Sequence, residues 1–215
     1  MAAARFRLHH APRSRSGRAL WMLEEAGAAY DIALHDLEQA TQKQPGYLAL
    51  NPAGKVPALE DRGLAGDWQG VVVTESAAIC AYLADALPEA ALAPPPGSPG
   101  RAAYADWMAW CPGVLEPAAA DLVFPRAAPP PPRALGWPPF PETLARLDAP
   151  LGRGPWLLGE GFTAADVLIG SMLLWLDGWG KLAEAPASLR RYMAALEARP
   201  ARQRALAADA RGPAA

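Results

Sequence analysis

The sequence predicts an α/β domain of order βαβαββα followed by an all-α helix bundle, and three observations in its 215 residues carry that expectation. Up to Leu87, apolar runs of strand length alternate with segments of helical periodicity, beginning with a βαβ unit that favours parallel pairing. Leu92 to Gly100 (LAPPPGSPG) is proline-rich and therefore semi-rigid. Beyond it every periodic segment is helical. The expected organisation is a domain over 1–87, a linker over 88–100 and a second domain over 101–215.

In the first domain, Phe6 to His10 reads as a strand, Ser16 to Ala26 as a helix closed by Gly27, and Tyr30 to Leu34 as a second strand. Gln39 to Leu50 holds a short irregular helix broken by Pro45-Gly46. Strands near Pro57 to Glu60 and Val71 to Val73 then form a hairpin. Their connection, Asp61 to Gly70, carries glycines at 63, 66 and 70 and is longer than a tight turn requires, so a flexible flap is expected. Glu75-Ser76 opens a helix with apolar residues at Ile79, Tyr82, Leu83 and Leu87, which Pro88 stops. The order βαβαββα is the thioredoxin-like arrangement.

The second domain reads as helices over Arg101 to Cys111, Pro141 to Leu151, Thr163 to Asp177 and Ser188 to Arg199, the last ended by Pro200. Pro112 and Pro117 interrupt the first of these early. Thr163 and Asp166 have the spacing of a capping box, with Asp in place of Glu, and Phe162 and Val167 are placed as a hydrophobic staple. Val167 to Leu176 is apolar nearly all round, which makes this helix the bundle's core. Eight prolines between Pro125 and Pro141 leave an extended loop, either a surface excursion or a wall over a cleft.

Composition narrows the function. A net charge of −2, with basic residues scattered among acids, gives no reason to expect nucleic acid, and 52% hydrophobic content supports real cores. No apolar run approaches about 18 residues, so no membrane span is expected. Met1 to Arg7 leads straight into a strand without a signal-peptide core, and a cytoplasmic location is expected. Cys80 and Cys111 fall on apolar helix faces as small buried hydrophobes, and His9, His10 and His35 do not form a metal-ligand pattern, so no metal is expected.

The stretch Asn51 to Glu60 (NPAGKVPALE) has the strongest functional signature. Pro57 has no N–H for a central ladder, so it begins a strand or follows a special turn. A cis Val56-Pro57 bond would turn the Val56 carbonyl and amide away from the sheet, open to an extended peptide ligand. The helix N-terminus at Ser76 attracts a carboxylate.

Together, N51-P-A-G-K-V-P57-A-L59 and T74-E-S76-A-A-I-C-A-Y-L83, with S14-R-S16-G-R18-A-L-W-M-L-E-E-A-G27 before them, resemble the glutathione-binding half of the cytosolic glutathione transferase family, in its bacterial serine-type form. The resemblance implies a transferase that activates the glutathione thiol for attack on a small apolar electrophile, working as a homodimer, with glutathione a substrate and no cofactor. It also leaves open a glutathione-dependent isomerase, dehalogenase or peroxidase, or a non-catalytic binding module of the same fold.

Site residues follow from the same resemblance. Glu75 pairs with the γ-glutamyl ammonium and Ser76 with its carboxylate, Val56 before Pro57 bonds the cysteinyl backbone, and Lys43 and Lys55 reach the glycyl carboxylate. Ala11 to Gly17 has no cysteine, which excludes dithiol chemistry there. A free thiol titrates near 8.5, and lowering it by about two units takes roughly 2.7 kcal/mol, which a hydroxyl and a helix N-terminus can supply. Ser14 is the favoured hydroxyl, with Ser16 the second candidate or a plain helix cap, and Arg15 adds positive potential. Some classes of the family place their serine where Arg13 stands. Tyr104, Trp107, Met108 and Trp110 are candidates to face the electrophile, with core packing the alternative at the same spacing.

Overall fold

In the computed structural model of the protein, β1 (Phe6–His10), β2 (Tyr30–Leu34), β3 (Ala58–Asp61) and β4 (Val71–Thr74) form one mixed sheet of order β2-β1-β3-β4. The structure describes residues 4–63, 70–128 and 130–210, so the centre of the expected flap, residues 64–69, lies outside the described residues. β1 runs parallel to β2, with His10 opposite Leu34. It runs antiparallel to β3, which pairs antiparallel with β4, so Ala58 lies between His9 and Thr74. The C-terminal ends of β1, β2 and β4 and the start of β3 therefore share one end of the sheet. Helices α1 (Ser16–Glu25), α2 (Pro45–Leu48) and α3 (Ser76–Ala86) complete the βαβαββα order. Leu8, Leu59, Leu20, Leu23, Ile79 and Leu83 are fully buried, which puts the core between the sheet and α1 and α3.

The chain groups into two compact units, one of the described residues up to Ala91 together with those from Ala198 on, the other Leu92–Glu197. The second contains α4 (Pro99–Trp110), α5 (Glu116–Val123), α6 (Phe140–Ala145), α7 (Asp148–Leu151), α8 (Ala164–Gly178) and α9 (Ala187–Glu197). The interruption expected at Pro112 and Pro117 is milder than a break. A π-helical turn over Cys111–Leu115 takes up Pro112, and Pro117 falls in the first turn of α5, where its missing N–H costs nothing. The helix expected from Pro141 to Leu151 is two. Pro150 cannot bond the Arg146 carbonyl, so the chain restarts at Asp148 and puts Pro150 in the first turn of α7.

α8 is buried continuously from Ala164 to Leu173, as its all-round apolar sequence predicts. Its capping box is formed. Asp166 accepts the Thr163 N–H at 2.9 Å on one oxygen, and on the other the Leu157 N–H at 3.0 Å and the Tyr192 hydroxyl at 3.1 Å. Burial pushes its carboxyl above the ordinary range against the pull of these donors.

The last helix was not expected. α10 (Pro200–Asp209) begins at the proline read as a stop, because Pro at the first helical position gives up only an N–H that has no helical partner. It packs on α1 within the first unit. Arg199 makes a bidentate pair with Glu25 (2.6 and 2.7 Å), Arg204 reaches Glu24, and the Arg202 guanidinium lies 5.0 Å from the Trp21 ring centroid. Residues after Ala198 thus group with the strands, although the sequence boundary ran the second domain on to 215. Among the described residues no helix is long and apolar enough to cross a membrane.

Candidate functional site

Three stretches reach the shared end of the sheet. The first is the loop into β3, fixed from within. Asn51 is buried; its Nδ2 donates to the Lys55 carbonyl at 2.8 Å and its Oδ1 accepts the Ala53 N–H at 3.2 Å, while the Tyr47 hydroxyl also donates to Lys55 O. Gly54 sits at φ +56°, and a Cβ there would collide with the Lys43 side chain, whose Nζ donates to Ala53 O at 2.9 Å. The Val56-Pro57 bond is cis, as expected. Among the described residues the Val56 amide and carbonyl make no backbone–backbone hydrogen bond. Lys55 is exposed on this loop, and Lys43 is exposed on the turn before α2.

The second stretch follows β4. Glu75 is exposed and holds φ +70°, a conformation that costs a non-glycine residue about 1–3 kcal/mol and clusters at ligand sites. Ser76, the first residue of α3, is 8% exposed. A carboxylate side chain and a helix N-terminus thus adjoin at the edge that carries Val56.

The third stretch is the turn from β1 into α1. The Ser14 Oγ donates to the Ala11 carbonyl at 2.7 Å, receives the Ser16 N–H at 3.2 Å and lies 2.7 Å from the Ser16 Oγ. Of the two roles open to Ser16, the plain helix cap does not hold, since Arg15 has the N-cap position of α1. Ser16 is fully buried, and its Oγ accepts the Ala11 N–H at 3.0 Å and lies 2.7 Å from His10 Nδ1. Ser14 is half-buried and supplies the oxygen at the helix start; Arg15 is exposed. Arg13 is exposed at φ +55°, and its amide donates to the Asp209 carboxylate at 3.3 to 3.4 Å. A pocket of about 820 Å³ runs beside this turn, bounded by Pro12, Arg13, His35, Leu37, Leu206 and Asp209.

The four residues read as facing an electrophile, Tyr104, Trp107, Met108 and Trp110, are 2, 8, 7 and 4% exposed in the helical unit. Trp107 and Trp110 meet edge to face, with the Arg146 guanidinium over both rings. Helical spacing there reports packing. Cys80 and Cys111 are buried, and burial pushes the Cys80 thiol up to about 12 despite the nearby Arg18 charge.

Sequence reasoning missed what the histidines do. His9 Nδ1 lies 2.9 Å from His35 Nε2 and its Nε2 2.8 Å from Glu60 Oε1, while His10 on the other face of β1 joins Ser16 to Asp209. Strand alternation alone requires His9 and His10 to face opposite sides, but nothing local points to Asp209.

Residues 14–86 match the glutathione S-transferase N-terminal domain family and residues 130–195 its C-terminal domain family. The chain is 33% identical to glutathione S-transferase 3 of Zea mays over 69% of its own length and 68% of the relative's. The chain belongs to the glutathione S-transferase family. It is also similar to the disulfide-bond oxidoreductase YfcG of Escherichia coli strain K12, 28% identical over 93% of each chain. The structure of a sphingomonad glutathione S-transferase in complex with glutathione superposes with a TM-score of 0.73 at 30% identity, covering 96% of this chain and all of that one. In this glutathione S-transferase family member, Ser14 lies in the turn ahead of α1, Ser16 opens the helix, and residues 11–17 hold no cysteine.

Proposed function

We propose that the protein is a glutathione S-transferase that binds glutathione along the shared end of its sheet and activates the thiol with the Ser14 hydroxyl. The observation that carries this reading is the open backbone of Val56 at the cis-proline turn, beside the Glu75-Ser76 helix start and the Ser14 turn. An extended tripeptide matches that layout. Its cysteinyl backbone takes the Val56 amide and carbonyl, its γ-glutamyl ammonium takes Glu75, and its α-carboxylate takes Ser76 and the start of α3. Lys43 and Lys55 face the glycyl carboxylate.

Ser14 is preferred to Ser16 because it is partly accessible, whereas every polar contact of the buried Ser16 hydroxyl is internal. Together with the N-terminus of α1 and Arg15, the Ser14 hydroxyl favours the anion, so the thiol proton leaves to solvent. The thiolate then forms a C–S bond to an electrophilic carbon, which expels a leaving group with its electron pair or passes the charge to a neighbouring atom that is protonated. We infer a small apolar electrophile, a cytoplasmic location and a homodimer on the strength of the family resemblance.

The test is ultraviolet absorbance on adding glutathione at neutral pH. A thiolate band at saturating glutathione supports the enzyme, and a panel of aryl halides, enones, epoxides and peroxides then separates transferase from isomerase or peroxidase activity. Binding without the band would identify a non-catalytic module.

A further inference from the structure

We propose that Asp209, at the end of α10, is a positioning residue that acts through His10 and Ser16 to aim the Ser14 hydroxyl outward at the glutathione sulfur. The proposal rests on the reading of Ser14 as the thiolate's donor. Four groups lie in series. Asp209 Oδ1 is 3.2 Å from His10 Nε2, His10 Nδ1 is 2.7 Å from Ser16 Oγ, and Ser16 Oγ is 2.7 Å from Ser14 Oγ. His10 and Ser16 are fully buried, so solvent does not compete for these contacts.

Counting protons fixes the direction. A hydroxyl gives one hydrogen bond and accepts two, and an imidazolium gives two. With His10 charged, Nε2–H points to Asp209 and Nδ1–H to Ser16. The Ser16 oxygen then accepts from His10 and from the Ala11 N–H, and its own proton goes to Ser14 or to the Ala11 carbonyl at 3.0 Å. Either way the Ser16 oxygen, which already accepts twice, cannot take the Ser14 proton, so that proton can go only to the Ala11 carbonyl or to a ligand. With His10 neutral and its proton on Nε2, Nδ1 takes the Ser16 proton, and Ser14 is drawn inward to the oxygen of Ser16. In the proposed series both ring nitrogens donate, Nε2–H to the Asp209 carboxylate and Nδ1–H to Ser16.

Several groups face His10 and the Asp209 carboxylate. From α10 come Asp209 and the more distant Arg202 charge, from α1 Ser16, from the turn the Arg13 amide, which binds the same carboxylate, and from the β2 side the His35 N–H, which meets only the His10 carbonyl. Burial pushes the Asp209 carboxyl up, but His10 and the Arg13 amide outweigh it and hold the group below the usual range, so it is ionised at neutral pH. The Nε2 contact is off line for a well-formed hydrogen bond, which makes it the loose link of the series.

The experiment uses the full chain and glutathione itself, following the ultraviolet thiolate band against pH. Asp209→Asn should raise the midpoint of the bound thiol by about one pH unit, with glutathione affinity nearly unchanged, and Asp209→Glu should restore it. In a Ser14→Ala background Asp209→Asn should add nothing, because the two act in series. A midpoint unmoved by Asp209→Asn, or an additive shift in the double variant, overturns the proposal. If Ser14→Ala alone leaves the midpoint unchanged, the reading of Ser14 fails as well; if Ser14→Ala moves it and Asp209→Asn does not, only the series fails. The ring-nitrogen chemical shifts of His10 in the unmodified protein saturated with glutathione give an independent check, and a neutral ring at neutral pH also overturns the proposal.

Discussion

The Oγ atoms of Ser14 and Ser16 lie 2.7 Å apart, but one is half-buried at the turn's surface and the other is sealed beneath it. The Ser-Arg-Ser sequence therefore does two jobs. Ser16 ties the turn to the end of β1 through His10 and Ala11, and Ser14 stays on the half-buried side of the turn.

Glu75→Ala should abolish retention on immobilised glutathione. The exposed carboxylate is offered by a backbone held at φ +70°, and its proposed partner is an ammonium shielded by the bound tripeptide. Losing one member of such a pair costs more than the ~0–1 kcal/mol of a fully exposed pair. Retention at the original level by a folded variant would count against the site.

Asp61 should set the acid limb of stability. Its carboxylate binds Arg5 at 2.8 to 3.2 Å, the Gly63 N–H at 2.8 Å and the Tyr82 hydroxyl at 2.8 Å. Burial pushes its carboxyl up, but these partners outweigh burial and hold it below the ordinary 3.8. The unfolded chain therefore binds the proton more readily. The stabilisation is complete above that ordinary value and is lost as pH falls through the folded one. Asp61→Asn should cost about 2 kcal/mol at neutral pH, discounting for the partly exposed Arg5, and should flatten the decline in denaturation midpoint below about pH 4.

Gly170→Ala should destabilise the helical unit although alanine is the better helix former. A Cβ at this position of α8 would overlap Leu196 Cδ1 on α9, and Leu196 is fully buried. Overpacking of about 1–3 kcal/mol then exceeds a propensity gain of up to about 1 kcal/mol. A denaturant midpoint that rises would show that α9 yields easily.

Much of this was legible locally. β1 and β2 follow from apolar runs between turn residues, the capping box from Thr163 and Asp166, and the cis bond from a proline at the mouth of a central strand. The failures have physical causes. Pro200 carries the same letter whether it stops a helix or starts one, and only the chain after it decides. For Tyr104, Trp107, Met108 and Trp110 the sequence left cleft and core open, because both give the same spacing, and their burial fits the core. The approach of Asp209 to His10 joins opposite ends of the chain and leaves no local pattern.

The most direct test of the account is a pH titration of the thiolate band of glutathione bound to the unmodified protein and to Ser14→Ala. If the Ser14 hydroxyl stabilises the anion, the variant's midpoint should rise by about one to two pH units while glutathione affinity, held by Glu75, Ser76 and Val56, changes little. The loss of turnover should shrink as pH rises, because hydroxide in solution then removes the proton. Coincident titration curves would contradict the account and leave the N-terminus of α1 and a backbone amide near Arg15 as the source of thiolate stabilisation.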